Sequence, residues 1–301
     1  LQTEVEINYD KEMNQPKAVM AELLHQVLAL VQTIAPERLA ALFSELNSAF
    51  IEKEIQVYFS DAKLQKQFRA FGWTGELTPT NDRQDYLLVV HTNLGGGKSD
   101  ARIKETIDHE AVVQEDGSVI DTVTLQRAHT GEAGELFYGD ANLDYVRIYV
   151  PEGAELQGAG GFVYPAEESF LAADEWFKDD LDLARYEEER GVHVGSGTRL
   201  TREFGKTVFG NWLVTKPGEV NEVWFRYKLP FKVMGETANA RLTSASFWQS
   251  AKRYIEPQAL LSPYSLVVQK QSGISSNFTS TVIYPENWRP VWRTDDQMEL
   301  S

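Results

Sequence analysis

The feature that most constrains this chain is an apolar run, Leu87–Val90, which is followed closely by three consecutive glycines, Gly95–Gly97. Four residues are too few for a helix, and an extended segment that is apolar at every position presents nonpolar side chains on both faces. Strands of that kind lie inside a sheet with both faces covered. The run therefore predicts a central strand, and it marks the point where a helical first quarter gives way to strands.

Helical periodicity dominates the first part of the chain. Two segments carry apolar residues at every third or fourth position, and Pro36 fits the first turn of the second segment. The short alternating run Glu54–Phe59 predicts a strand, and Ser60 is a suitable cap for a third helix that ends at Gly72. The sequence therefore predicts a helical segment, the remnant of an α/β layer, over residues 1–80.

Alternation of polar and apolar residues dominates the rest of the chain. Arg102–Val113 has this pattern and is followed by a turn signal and a return strand, which predicts a hairpin with one solvent-exposed face. Further along, the alternation places Phe225 and Tyr227 inward and Trp224 outward. Roughly eight to ten such strands joined by polar turns predict a mainly antiparallel β-sandwich over residues 81–301.

An acidic, helix-favouring stretch, Ala166–Arg190, interrupts the strand pattern. A charge run of this kind is usually the solvated face of a helix, so it predicts a helical insertion between strands. Thr243–Tyr254 fits either a strand or a helix, and both alternatives stay open. The expected fold class is therefore α+β, with an N-terminal helical segment followed by a β-sandwich that carries a helical insertion.

Charge and composition exclude several kinds of partner and site. The net charge of -16 repels phosphate backbones and anionic lipid headgroups, so nucleic acid is not expected as a partner. The absence of cysteine excludes disulfides and thiolate sites. No run of about 18 apolar residues is present, so contact with a membrane is expected only through a segment outside this chain.

Five motifs resemble one family of bacterial proteins. They are Gly72–Leu77, Asp85–Leu87, Asn93–Asp100, Asp144–Pro151 and Gly205–Gly210. Together they are similar to the C-terminal portion of membrane-anchored bacterial proteins that carry the domain of unknown function 4012. The Glu-Leu-Arg-Pro-Thr-Gly-Gly-Phe type motif of that family's upstream module is absent from this chain. The resemblance implies an extracellular location at the bacterial cell surface, with membrane anchoring in the full-length protein and no established activity.

This resemblance, together with the strand series, predicts a non-enzymatic extracellular module of a cell-envelope protein. Its expected role is adhesion, assembly or structural spacing, and its expected partners are envelope glycans or proteins. The alternative is a glycan-binding module or an accessory to an envelope-glycopolymer enzyme. A hydrolase is the third class, but no pair of carboxylates and no histidine-supported serine can be recognised in the sequence. No catalytic residue is therefore predicted.

One candidate cation site stands out. Asp140, Asn142 and Asp144 have the first, third and fifth spacing of the oxygen ligands in a calcium-binding loop. The pattern then fails, since Tyr145 stands where such a loop has glycine. The two hypotheses are a calcium site, which would be the chain's single cofactor, and an Asx turn that leads into the next strand.

Aromatic residues supply the candidate glycan contacts. Most tryptophans should pack in the core, but Trp224 and one of the pair Trp288 and Trp292 are candidates to stack on sugar rings, because an indole face suits the apolar face of a pyranose. The histidines show no metal-ligand spacing. His109 and Glu110 are adjacent on a strand, so their side chains point to opposite faces and cannot act together.

Two further motifs give weaker indications of a chemical function. The glycine stretch ending at Lys98 is superficially similar to a phosphate-binding loop, but Thr92 occupies the position of the first required glycine and a strand follows instead of a helix. Lys206, with Glu203 or Asn211, provides the residue types of an isopeptide crosslink. Strand alternation places those two partners on the face opposite to Lys206, so the crosslink would need a bulge.

Overall fold

The computed structural model describes residues 2–8, 11, 17–95, 97–170, 174–178, 180–233 and 263–289. The chain divides into two compact units, Leu1–Gly75 and Glu76–Ser301. This boundary lies a few residues before the one predicted at residue 80. The α+β fold class is confirmed, since helices form most of the first unit and two sheets form a sandwich in the second.

The first unit contains four of the described helices. They are α1 (Gln2–Glu6), α2 (Ala18–Val31), α3 (Pro36–Ile51) and α4 (Ala62–Ala70). Pro36 occupies the first turn of α3 as predicted. Asp61, not Ser60, caps α4, because its carboxylate accepts hydrogen bonds from two backbone amides of the first turn. Within the described residues, no helix is both long and apolar enough to cross a membrane.

The strand predicted over Glu54–Phe59 is wrong. The segment is an extended connection between α3 and α4, and its backbone bonds to Trp73 instead of to a strand. Phe59 packs on α4, with its ring centred 4.5 Å from that of Phe68, whereas Ile55 is exposed. Alternation alone was therefore insufficient to predict a strand, since a strand also needs a neighbouring strand with which to pair.

The second unit contains the strands. They are β1 (Asp85–Val90), β2 (Ile103–Val113), β3 (Ser118–His129), β4 (Asn142–Pro151), β5 (Glu155–Gly160), β6 (Glu187–His193), β7 (Thr198–Glu203), β8 (Lys206–Thr215), β9 (Val220–Lys232), β10 (Leu266–Gln269) and β11 (Ser276–Ile283). The first sheet has the order β10-β1-β4-β8-β7-β6, and the second has the order β11-β2-β3-β9-β5. We call them sheet A and sheet B.

Most strand pairs are antiparallel, as predicted, but the two C-terminal strands are not. β10 pairs in parallel with β1, and β11 pairs in parallel with β2, so each of them forms one edge of a sheet. A parallel pair requires a crossover connection, and side-chain alternation carries no information about strand direction. The sequence therefore located both strands without giving their orientation.

The central position predicted for β1 is confirmed. Leu87 and Val89 point into the core between the sheets. Tyr86 and Leu88 point the other way, into a smaller apolar cluster on the outer face of sheet A, together with Val208. Both faces of β1 are therefore covered, which explains why its sequence is apolar at every position.

The helical insertion is much smaller than predicted. Between Ala166 and Arg190, the described residues contain a single 3-10 turn, Glu167–Ser169, and a four-residue helix, α5 (Leu183–Tyr186). The acidic run then continues as β6, where Arg199 of the neighbouring strand lies 2.5 Å from Glu187. The acidic residues are thus paired across strands rather than displayed on a helix. Thr243–Tyr254 and Trp292 lie outside the described residues.

The predicted register of β9 is confirmed. Phe225 and Tyr227 are fully buried, whereas Trp224 is 38% exposed on the outer face of sheet B. The ring of Phe225 packs against Phe162 at a centroid distance of 4.9 Å. An inward residue of β9 would therefore lose more packing contacts on truncation than an outward one.

Replacing Phe225 by alanine is expected to lower the free energy of unfolding by about 3–5 kcal/mol, because a fully buried ring leaves a cavity. Trp224→Ala, one position away, is expected to cost less than half as much, since part of the indole already contacts water. Denaturant titration of the two variants beside the parent chain measures both values. A larger loss for Trp224→Ala would mean that the register is shifted by one residue.

Candidate functional site

Ionisable side chains interrupt the inward faces of strands that otherwise bury apolar residues. Glu105 and His109 share the inward face of β2, Asp121 and Arg127 share that of β3, and Asp144 lies inward on β4. All of them are buried. With two residues at the ends of β1, they form two separate groups within the sandwich.

We call the first group the His91 network, and it comprises His91, Glu105, Arg127 and Asp144. His91 Nδ1 lies 2.6 Å from Asp144 Oδ2, and His91 Nε2 lies 2.8 Å from Glu105 Oε2. The contact with Glu105 is an ion pair that is not aligned as a hydrogen bond. The guanidinium of Arg127 contacts the same Asp144 oxygen, and its Nε lies 3.7 Å from Glu105. Each charged group therefore touches both groups of opposite sign.

The His91 network spans the interior of the sandwich. Asp144 belongs to β4 of sheet A, and His91 directly follows β1 of the same sheet. Glu105 and Arg127 are paired opposite each other on β2 and β3 of sheet B. The ion pairs His91 with Glu105 and Arg127 with Asp144 therefore run from one sheet to the other.

Burial and ion pairing act in opposite directions on this network. Burial and the adjacent charge of Arg127 lower the pKa of His91, but its contacts with Asp144 and Glu105 outweigh them and raise the pKa to about 9. Burial would raise the pKa of both carboxyls, yet the neighbouring cations hold each pKa below its usual value. Thr92 N and Ser276 Oγ add hydrogen bonds to these carboxylates. At neutral pH the network thus holds two cations and two anions.

We call the second group the aspartate-histidine cluster, and it comprises Asp85, His109 and Asp121. Asp85 begins β1 in sheet A, while His109 and Asp121 lie on β2 and β3 in sheet B. His109 Nε2 is 3.7 Å from Asp85 Oδ2 and 3.7 Å from Asp121 Oδ2. One ligand atom from each residue lies within 4.8 Å of the others, so the three side chains are able to hold a metal ion.

The carboxyl groups of this cluster are poor anions on their own. Burial raises the pKa of Asp85 to about 8 and that of Asp121 to about 7, and the charge of Asp121 adds to the shift of Asp85. Burial also lowers the pKa of His109, which therefore stays neutral at pH 7. The pair of carboxyls must be neutralised, either by protons or by a bound cation.

The residues predicted to form a calcium loop have other partners. Asp144 is held by the two cations of the His91 network, which oppose a third cation at the same carboxylate. Asn142 is buried, and its amide donates to Asp100 Oδ1 at 2.8 Å. Asp140 is exposed. The calcium site stays a prediction, and in this structure Asp144 is part of a buried ionic network.

The predicted glycan contacts lie in different surroundings. Trp224 is half-exposed on the outer face of sheet B, as expected. Trp288 is half-buried and packs against the core of the sandwich, so it offers less ring surface to a ligand. Of the two candidate tryptophans that the structure describes, Trp224 is the one on the exposed face of a sheet, and Trp292 lies outside the described residues.

Lys206 is not positioned for an isopeptide crosslink. Its Nζ donates to Thr80 Oγ1 at 2.6 Å and lies 3.9 Å from the centre of the Tyr86 ring. Glu203 accepts hydrogen bonds from a tyrosine and an arginine, and Asn211 donates to the loop before β7 and to the first residue of that strand. Within the described residues, Lys206 forms no ion pair with a carboxylate, so the reaction has no acid partner beside the amine.

Sequence reasoning missed both polar groups, although the signal was present. Ile107 and Ala111 are apolar positions of β2 that point inward, and the same alternation requires Glu105 and His109 to point inward. Inward Val146 on β4 likewise requires Asp144 to point inward. Ionisable residues at core positions of a strand pattern were thus the detectable sign of a buried network.

Comparisons with known proteins give no assignment. No model of a known protein family matches this chain, and no curated protein matches it. The resemblance to proteins carrying the domain of unknown function 4012 remains a prediction from the motifs.

The raised pKa of His91 predicts a defined pH dependence of stability. The folded pKa of about 9 lies above the ordinary value of about 6.5, so the native state binds the extra proton and the contribution is complete below about pH 6.5. This contribution to the free energy of unfolding is lost as the pH rises through 9. The difference in unfolding free energy between the parent chain and His91→Gln should therefore shrink by about 3 kcal/mol. Denaturant unfolding from pH 6 to about 10 measures this difference.

The control for this titration is His25→Gln, because His25 is exposed on α2, outside the sandwich. Its difference from the parent chain should not change over the same range. Parallel stability curves for the parent chain and His91→Gln would contradict the ionic state assigned to the network.

Proposed function

We propose that this chain is a non-enzymatic module of a bacterial cell-envelope protein that acts in adhesion, assembly or spacing at the cell surface. The observation that supports this proposal is the burial of both polar groups between the two sheets. None of their seven residues is more than 7% exposed. A general acid or base must come within hydrogen-bonding distance of its substrate, and groups sealed between two sheets do not. These ionisable groups therefore interact within the sandwich and not with a substrate.

The surface of the chain supports partners other than polyanions. The net charge of -16 disfavours nucleic acid and anionic lipid, and it favours neutral polymers or basic protein surfaces. The cell-envelope location is what the motif resemblance implies. Envelope glycans and proteins are accordingly the partners that we propose.

A second candidate function, glycan binding, is favoured by the outer face of sheet B. A row of directly paired residues crosses this sheet from Gly160 through Trp224, Thr124 and Asp108 to Thr279. Parallel rows on either side carry further threonine, glutamate, glutamine, asparagine and arginine side chains. One indole among hydroxyl, carboxylate and amide groups is the combination that stacks on a sugar and bonds its hydroxyls.

Two glycines of β5 make room for the indole. A Cβ at Gly160 would lie 3.0 Å from Trp224 Nε1, and one at Gly158 would lie 3.3 Å from the same ring system. Because neither residue has a side chain, the indole lies against the backbone of β5 and still remains 38% exposed. This contact holds the ring in place at a small entropy cost, as a preorganised binding surface requires.

Co-sedimentation with isolated bacterial envelopes and purified envelope polysaccharides tests both functions. We expect the chain to pellet with envelopes, and we expect Trp224→Ala to reduce polysaccharide binding at least about tenfold if the outer face of sheet B is the site. Trp176→Ala is the matched control, because Trp176 is 73% exposed and belongs to the loop before α5. It should leave binding unchanged.

The same samples distinguish a binding module from an enzyme. No release of reducing sugar or peptide should accompany binding. Time-dependent release by the parent chain would contradict the non-enzymatic proposal. Equal polysaccharide binding by the parent chain and Trp224→Ala would contradict a glycan site on this face. A parent chain that does not pellet with envelopes would contradict the surface role.

A further inference from the structure

The aspartate-histidine cluster has a spacing that hydrogen bonds do not explain. The two distances of 3.7 Å from His109 Nε2 to the carboxylate oxygens of Asp85 and Asp121 exceed hydrogen-bonding distance. Ligand atoms about 2.0–2.2 Å from one tetrahedral zinc ion lie about 3.3–3.6 Å from each other. The observed spacing is therefore close to that of three ligands around one ion.

Unpartnered polar atoms converge on the same point. Within the described part of the chain, His109 Nε2 and both carboxylate oxygens of Asp121 are buried and have no hydrogen-bond partner. The hydroxyl of Tyr227, a fully buried residue paired opposite Asp121, lies near that carboxyl without forming an aligned hydrogen bond. Buried polar groups are nearly always satisfied, so His109 Nε2, which has no partner of this kind, indicates a missing one.

The orientation of His109 fits a ligand role. Its Nδ1 lies 3.0 Å from Ser280 Oγ, and a hydrogen bond donated there leaves the lone pair on Nε2, facing the carboxylates. Asp85 is held in a similar way, since the hydroxyl of Tyr264 donates to its Oδ2 at 2.6 Å and Tyr86 N donates to its Oδ1 at 2.7 Å. Outer partners of this kind fix the position of metal ligands.

Charge also favours a cation. Asp85 and Asp121 are fully buried, and among the described residues no lysine or arginine forms an ion pair with either of them. A divalent ion bound by two carboxylates and one neutral imidazole gives a site with no net charge. Calcium prefers six to eight oxygen ligands, whereas one nitrogen and two oxygens suit zinc or manganese.

We propose that Asp85, His109 and Asp121 bind one divalent transition-metal ion, zinc in the first place, and that this ion joins the two sheets of the sandwich. Asp85 contributes from sheet A, and His109 and Asp121 contribute from sheet B. The chain has no cysteine, so a metal ion supplies the crosslink between sheets that a disulfide cannot. Because the site is closed, the ion enters while the sandwich folds.

Refolding with and without metal tests this site. The full chain is unfolded in denaturant with a chelator and refolded in zinc, in manganese or in chelator alone, and unbound metal is then removed by gel filtration. We expect about one zinc ion per chain by elemental analysis and a higher melting temperature than that of the chelator sample. Asp121→Asn and His109→Gln should each lose the ion and the increase in melting temperature.

Asp108→Asn is the matched control, because Asp108 lies on β2 next to His109 but is exposed on the opposite face. It should retain the ion and the raised melting temperature. If the ligand variants do not fold, cobalt bound by the parent chain gives the readout, since cobalt in a roughly tetrahedral protein site produces strong visible absorption bands that cobalt in water does not.

Three results would overturn the proposal. The first is a parent chain that refolds without retaining zinc or manganese and with the same melting temperature as in chelator, which would mean that protons alone neutralise the two carboxyls. The second is full metal content in folded Asp121→Asn and His109→Gln. The third, if those variants do not fold, is a parent chain without cobalt absorption.

Discussion

The structure depends on one constraint: charges buried between two sheets must be paired, and here the partners come from opposite sheets. Arg127 of β3 contacts Asp144 of β4, and His91 next to β1 contacts Glu105 of β2. Breaking such a pair leaves an uncompensated charge in a dry interior, which typically costs about 3–5 kcal/mol. The two sheets therefore cannot slide past each other or change register without separating these groups.

The polar groups complement the apolar core. Between them lie fully buried residues such as Val123, Leu125 and Ile148, which supply the nonspecific attraction between the sheets. Apolar packing tolerates several alignments, whereas ion pairs with defined partners admit one. In a chain without disulfides, this division of roles fixes the alignment of the two sheets and leaves Trp224 partly exposed on the outer face of sheet B.

The fold was largely predictable, because residue periodicity reports which face of an element is buried. It identified α2 and α3, the core position of β1 and the inward register of Phe225. It gave no information on the parallel direction of β10 and β11, which depends on the path of the chain between strands. It also misassigned the acidic run of β6, since pairing with Arg199 replaces solvation.

The candidate sites were harder to predict, because their residues are far apart in sequence. Asp85 and Asp121 are brought together only when the two sheets face each other. Asp144 was a candidate calcium ligand because of its spacing from Asp140 and Asn142, whereas its partners in the structure are His91, directly after β1, and Arg127 of β3. Local spacing finds sites built from one loop, and a site built across two sheets needs the fold first.

A double-mutant cycle on Arg127 and Asp144 tests whether ion pairs across the interior hold the two sheets together. The free energies of unfolding of Arg127→Met, Asp144→Asn and the double variant are measured at pH 7. We expect the double variant to be less destabilised than the sum of the single variants by about 1–3 kcal/mol. Additivity of the two effects to within about 0.5 kcal/mol would contradict it.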